Sequence, residues 1–185
     1  MSRFDRPKAL GRQLREVAVA WRDRFEDVDS TGVEIFGRLD AVTQCWSSLC
    51  REILAPFGIN YAEMKTLGIL RTTRPQPRRS PTELRQLVGQ TSAGMTRILD
   101  KLEELELVRR EPLEIDGRRV DIVLTRRGAH LADRTNHTLM SRQNDVLSTL
   151  GVDGIDAMRV ALDTLLAGFA DARDRDGELD VDENA

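Results

Sequence analysis

The residues of this 185-residue chain that could do chemistry are mostly arginines, and their placement is uneven. Residues 74–127 carry twelve basic residues (Arg74, Arg78, Arg79, Arg85, Arg97, Lys101, Arg109, Arg110, Arg118, Arg119, Arg126 and Arg127) against nine acidic ones. Residues 128–185 carry five basic against twelve acidic, although the whole chain is net −3. Such an asymmetry marks a functional face for an anionic partner rather than a property of the chain average. Catalytic and metal chemistry find less support. His130 and His137 share a helical face but lie two turns apart, about 10.5 Å, too far to hold one ion. Cys45 and Cys50 are separated by about 140° around a helix, so they cannot bridge or share a ligand there. No nucleophile motif, paired-carboxylate setting or phosphate-cradling glycine loop is present, so the sequence reads as a non-enzyme without a cofactor or metal.

The elements that must position the arginines follow from periodicity. Leu10, Leu14, Val17, Trp21 and Phe25 recur at helical spacing. After Asp29-Ser30-Thr31-Gly32, a second seam of Ile35, Leu39, Val42, Trp46, Leu49 and Ile53 runs to Pro56 and Gly58. Leu131, Leu139, Val146 and Leu150 suggest a third helix, broken at Gly151 and Gly154. A fourth carries Ile155, Met158, Leu162, Leu165 and Phe169. So many seams at the two ends of one small chain predict a homodimer built from the terminal helices. The acidic stretch after Asp171 predicts a frayed tail.

In the middle third, Ser80-Pro81-Thr82-Glu83 opens a helix: Ser80 caps, Pro81 takes the first position, and Glu83 completes a capping box. Leu84, Leu87 and Val88 are expected to face inward, and Gly89 to supply a turn. A second helix starts near Thr91 or Ser92 and buries Met95, Ile98, Leu99, Leu102 and Leu105. Two short helices around a glycine turn form a helix-turn-helix, whose second helix can enter a DNA major groove. Its outer face shows Ala93, Thr96, Arg97, Asp100 and Lys101 behind a small, polar first turn, and Arg97 could hold guanine bidentately. Leu107-Val108-Arg109-Arg110 then reads as a strand, Asp116-Gly117 as a turn, and Val120–Leu124 as the return strand. Arg118 and Arg119 at such a hairpin tip suit the narrow minor groove.

Ser80-Pro81-Thr82-Glu83-Leu84, Thr96-Arg97-Ile98-Leu99-Asp100-Lys101-Leu102-Glu103, Asp116-Gly117-Arg118-Arg119 and Leu124-Thr125-Arg126-Arg127-Gly128 together resemble the MarR family of transcription regulators. The resemblance covers residues 33–170 and implies a homodimeric winged helix-turn-helix, usually a repressor on a pseudo-palindromic operator that a small ligand releases. It implies that Thr91, Ser92, Ala93, Thr96 and Arg97 read the major groove, with Lys101 on the same face. It places Arg118 and Arg119 in the minor groove, and Arg78, Arg79 and Ser80 on phosphates. Two other readings stay open: a protein-interaction module on the same scaffold, and a thiol-based redox sensor using Cys45 or Cys50.

The helix over residues 7–25 is an addition to the common family plan and is similar to the extra helix of the urate-responsive subgroup. By that resemblance Trp21, Arg97 and Arg109 fall at ligand-holding places, but the subgroup's aspartate is replaced by Lys65. Urate, another small anionic aromatic effector, and no ligand at all with Trp21 as a core residue remain alternatives.

The fold expected is mainly α with a small β-hairpin wing: a winged helix-turn-helix domain plus N- and C-terminal dimerisation helices. Residues 1–30 hold the extra N-terminal helix, 31–58 a dimerisation helix, and 59–128 the DNA-binding region. Residues 129–172 hold the C-terminal dimerisation helices, and 173–185 an acidic, disordered tail. The longest apolar run, Val17–Trp21, is far short of the roughly 20 residues a membrane span needs. With two cysteines and no signal-peptide core, the expected location is the cytoplasm and the expected partners are double-stranded DNA and a second copy.

Overall fold

The computed structural model describes residues 6–74, 76–113 and 116–182, with side chains described at 9–74, 76–112 and 120–172. It divides into two compact units, Met1–Asn136 and His137–Ala185. The first opens with α1 (Arg6–Arg24) and α2 (Thr31–Leu54), followed by a 3-10 turn at Ala55–Phe57 that ends on Gly58 with φ of 68°. Gly37 lets these two helices close up, because a Cβ there would overlap the Leu14 side chain. Arg38 adds a polar tie: it pairs with Glu34 on its own helix and donates to the Gly11 carbonyl of α1 at 3.5 Å.

Next come α3 (Tyr61–Thr72), β1 (Arg78–Arg79), α4 (Pro81–Val88), α5 (Ser92–Glu104), β2 (Val108–Leu113) and β3 (Asp116–Leu124). Both capping boxes that position this block are formed. Asn60 and Glu63 exchange hydrogen bonds at the start of α3, and Ser80 and Glu83 do so at the start of α4. Gly89, with φ of 76°, makes the turn into α5, which Thr91 caps through the Gly94 N–H. The core lies between these helices and the sheet: Leu67, Leu70, Leu84, Leu102 and Ile122 are fully buried. Strand order is β1-β3-β2, all antiparallel, with Arg78 opposite Val123, Arg109 opposite Val123, and Arg110 opposite Ile122.

The chain leaves α5 through Glu106, whose φ of 57° is left-handed, while the Leu107 N–H returns to the Leu102 carbonyl at 2.9 Å. This is the helix-ending geometry usually given to glycine. Thr125 then caps α6 (Arg126–Leu147) by accepting the Gly128 N–H at 2.9 Å, and its hydroxyl donates to the Glu106 carbonyl at 2.8 Å. A Cβ at Gly128 would overlap the Leu107 carbonyl oxygen, so only glycine permits this close approach.

The second unit holds the end of α6, a 3-10 turn at Ser148–Leu150 and α7 (Gly151–Asp182). Its apolar side chains are largely exposed, including Val152, Met158, Leu162, Leu166 and Phe169.

The architecture is the mainly α winged helix expected, with five local corrections. Leu105 is not buried with the α5 stripe: it follows the helix as its C-cap and is half-buried. Leu87 does not face inward; it is 53% exposed, because α4 is short enough for Leu84 and Val88 to fill its buried stripe. Asp116-Gly117 is not the hairpin turn: Asp116 pairs with Leu113, so both residues start β3, after a register irregularity between Pro112 and Leu113. Gly154 lies inside α7, and the chain breaks only at Gly151, where φ is 67°. Finally, α7 continues to Asp182 through the segment expected to fray. No proline follows Pro112 to stop the helix.

Candidate nucleic-acid interface

The first turn of α5 is built for close approach. Thr91, Ser92, Ala93, Thr96 and Arg97 are exposed on one side, while Met95, Ile98, Leu99 and Leu102 anchor the other. Thr91 spends its hydroxyl on the cap, and Thr96 donates to the Ser92 carbonyl at 3.0 Å, which turns its methyl group outward for apolar contact. Arg97 forms no hydrogen bond or ion pair among the described residues, so its guanidinium stands ready for an external acceptor.

Several neighbouring cations are held. Arg79 donates to Glu83 at 2.9 Å and to the Thr73 hydroxyl at 3.3 Å. Ser80 donates its hydroxyl to Glu83 at 2.8 Å and accepts the Glu83 N–H at 3.3 Å. The Ser80 N–H and hydroxyl, with Arg79 behind them, hold the Glu83 carboxyl below its ordinary value of 4.5. Arg78 and Arg109, level with each other across Val123, share one carboxylate: Glu111 accepts from Arg109 at 2.5 Å and from Arg78 at 3.5 Å. The Arg78 Nε is buried without a hydrogen-bond partner.

Lys101, expected on the DNA-facing side of α5, is paired within the chain. Its ammonium donates at 2.9 Å to Glu63, which is only 3% exposed and also accepts from the Asn60 N–H and side chain. This pair locks the recognition helix to the start of α3. Lys65 does a similar task, donating to the Val88 carbonyl at 3.1 Å at the negative end of α4. Glu63, Arg110 and Glu111 were not singled out from the sequence. Only the Asn60–Glu63 capping spacing could have drawn attention to one of them, since Arg110 acts between α5 and β2 and Glu111 between β1 and β2. Arg118 and Arg119 belong to β3, and their side chains lie outside the described residues.

The four residues expected to hold a ligand make their contacts elsewhere or make none. Trp21 is 48% exposed and stacks on Phe25, the residue just past the end of α1, with ring centroids 5.5 Å apart. Among the described residues no hydrogen bond, ion pair or ring contact joins Trp21, Lys65, Arg97 and Arg109. Of the two thiols, Cys45 is exposed and Cys50 is buried, and burial pushes the Cys50 pKa up to about 11, away from the thiolate a peroxide sensor needs. Among the described residues there is no group of three or more metal-ligating side chains, and no helix is long and apolar enough to cross a membrane.

Comparison with known proteins extends this picture. A model of the MarR family matches residues 57–119, from the turn after α2 into β3. PecS, an HTH-type transcriptional regulator of Dickeya dadantii (strain 3937), is 24% identical over 150 residues, spanning 81% of this chain and 90% of that protein. PapX, an HTH-type transcriptional regulator of Escherichia coli, is 30% identical over 120 residues, spanning 65% of this chain and 73% of that protein. Among solved structures, a mutant of E. coli MarR complexed with operator DNA superposes with a TM-score of 0.61 at 28% identity, covering 70% of this chain and 92% of that one.

Proposed function

We propose a function that starts from family membership: this chain belongs to the MarR family of transcription regulators, and it acts as a ligand-responsive repressor that binds a pseudo-palindromic operator as a homodimer. The observation that carries the DNA contact is the exposed first turn of α5 with an unpaired Arg97 on it, in a block where neighbouring cations are held by carboxylates. A helix N-terminus also offers backbone N–H groups to phosphate. The mutant E. coli MarR was solved on operator DNA with the same fold, which supports the same use of α5 here. The exposed seams of the terminal helices support a second copy as the assembly partner.

The effector proposed is a small anionic aromatic. Arg97 has no internal partner among the described residues, so an anion that draws it away removes a base-reading contact and lowers DNA affinity by differential binding. Arg109 and Lys65 would have to leave Glu111 and the Val88 carbonyl to join it.

The test is a salt-series anisotropy titration of the full chain against a duplex from its own upstream intergenic region and a scrambled duplex. A preference of about a thousandfold or more identifies an operator-specific regulator. Arg97→Ala should weaken the specific duplex by about tenfold to a hundredfold and leave the scrambled one nearly unchanged. Equal, weak binding to both duplexes at every salt would defeat the reading. Adding aromatic carboxylates and urate to the same assay tests the effector.

A further inference from the structure

In the winged-helix reading, α5 and the hairpin enter neighbouring grooves, and one residue ties them together at the point where they diverge. β2 is an edge strand, so the N–H groups on its outer side have no neighbouring strand to pair with. At Arg110 that partner comes from α5: its backbone N–H donates to a Glu103 carboxylate oxygen at 3.2 Å. Its guanidinium donates to Asp100 Oδ1 at 2.6 Å and to the second Glu103 oxygen. Asp100 and Glu103 are one turn apart on the helix, and the planar fork spans both. The hydrogen bond it donates to Asp100 is the largest cause holding the guanidinium's pKa above its ordinary value.

We propose that Arg110 is a positioning residue that fixes the angle between the recognition helix and the wing, and with it the offset between major-groove and minor-groove contacts accepted on one operator half-site. The inference rests on the DNA-binding reading above. The apolar stripe of α5 (Met95, Ile98, Leu99 and Leu102) keeps the helix on the core, but hydrophobic contact is non-directional and resists rotation weakly. A guanidinium bonded to two successive carboxylates while its own backbone bonds a third time is directional. The clasp is also largely exposed, and exposed ion pairs contribute little to folding. Losing it therefore changes geometry more than stability. Arg110 in addition neutralises two acids on the helix that would approach phosphate, and this second effect must be separated from the first.

The experiment uses duplexes enriched by the wild-type full chain from a random pool. In two derivatives the A·T-rich minor-groove tract is moved one base pair toward or away from the major-groove half-site. Wild type, Arg110→Lys and the triple variant R110Q/D100N/E103Q, which removes the clasp and its charges together, are titrated against all three. Melting and far-UV circular dichroism are recorded for each protein. The wild type is expected to lose about tenfold on either shift. Both variants should keep the fold, bind the parent duplex about tenfold more weakly, and lose most of the discrimination between spacings, the triple variant more than the lysine one. A triple variant that retains the wild-type ranking of the three duplexes overturns the proposal and leaves Arg110 a charge compensator. Should the triple variant fail to fold, the lysine variant decides by the same ranking. A wild type that enriches no duplex defeats the DNA-binding reading itself, and the positioning role falls with it.

Discussion

The block from α3 to β3 and the helices that flank it solve the burial problem in opposite ways. In the block, Met64, Leu67, Leu84, Met95, Leu99, Leu102 and Ile122 are all buried, and its cations are largely matched to carboxylates. In the flanking helices Trp21, Phe36, Val42, Met158, Val160 and Phe169 stand in water, Val42 at 66% and Phe169 at 54% exposure. Monomeric proteins rarely leave large contiguous apolar patches uncovered. The block buries most of its apolar side chains within one chain, whereas the flanking helices leave many of theirs exposed. In the proposed dimer, sequence-reading and assembly fall to separate stretches.

The largest effect should come from attacking the exposed seam. Met158→Asp with Leu162→Asp places two charges on the α7 seam, and in the proposed dimer this should reduce the particle seen by light scattering to a single 20.9 kDa chain. Operator affinity should fall by about three orders of magnitude, since one head reads one half-site. Unchanged mass would break the comparison.

A smaller effect is expected inside the block. Lys101→Met leaves Glu63 buried without its cation and should cost about 1–3 kcal/mol in chemical denaturation. Adding Glu63→Gln should recover part of that loss, because a neutral amide is less costly to bury than an unpaired carboxylate.

The smallest effect is a pH dependence. The Glu83 carboxyl is held below its ordinary 4.5 when folded, so the unfolded chain binds its proton more readily. The stability it contributes is present above about pH 4.5 and disappears as pH falls through the lower folded value. Between pH 6 and pH 3, wild type should therefore lose more melting temperature than Glu83→Gln does. Parallel curves would show that the α4 cap contributes nothing through ionisation.

Local chemistry made much of this legible. The Ser80–Glu83 box, the Gly89 turn, the Thr91 cap and the Thr125 cap each depend on residues within three or four positions, and each is formed. The failures share a cause, which is dependence on something distant. Leu87 fits a helical stripe as well as Leu84 does, and only the width of the core decides that it stays outside. Asp116-Gly117 has turn chemistry, but the register of β2 on β3 assigns it to a strand. Lys101 shares a helical face with Arg97, yet its ammonium is taken by a glutamate 38 positions earlier. A wheel reports which way a side chain leaves its helix, not what waits for it there.

β1 is only two residues long, yet it pairs with β3 roughly 45 positions later, where closing a loop costs entropy that grows slowly with length. α4, α5 and β2 all lie inside that loop. The helices and the hairpin are made of local contacts, whereas this pairing is non-local, the class of contact that slows folding. The ring so closed ties the start of α4 to the return strand of the wing, with the recognition helix enclosed between them.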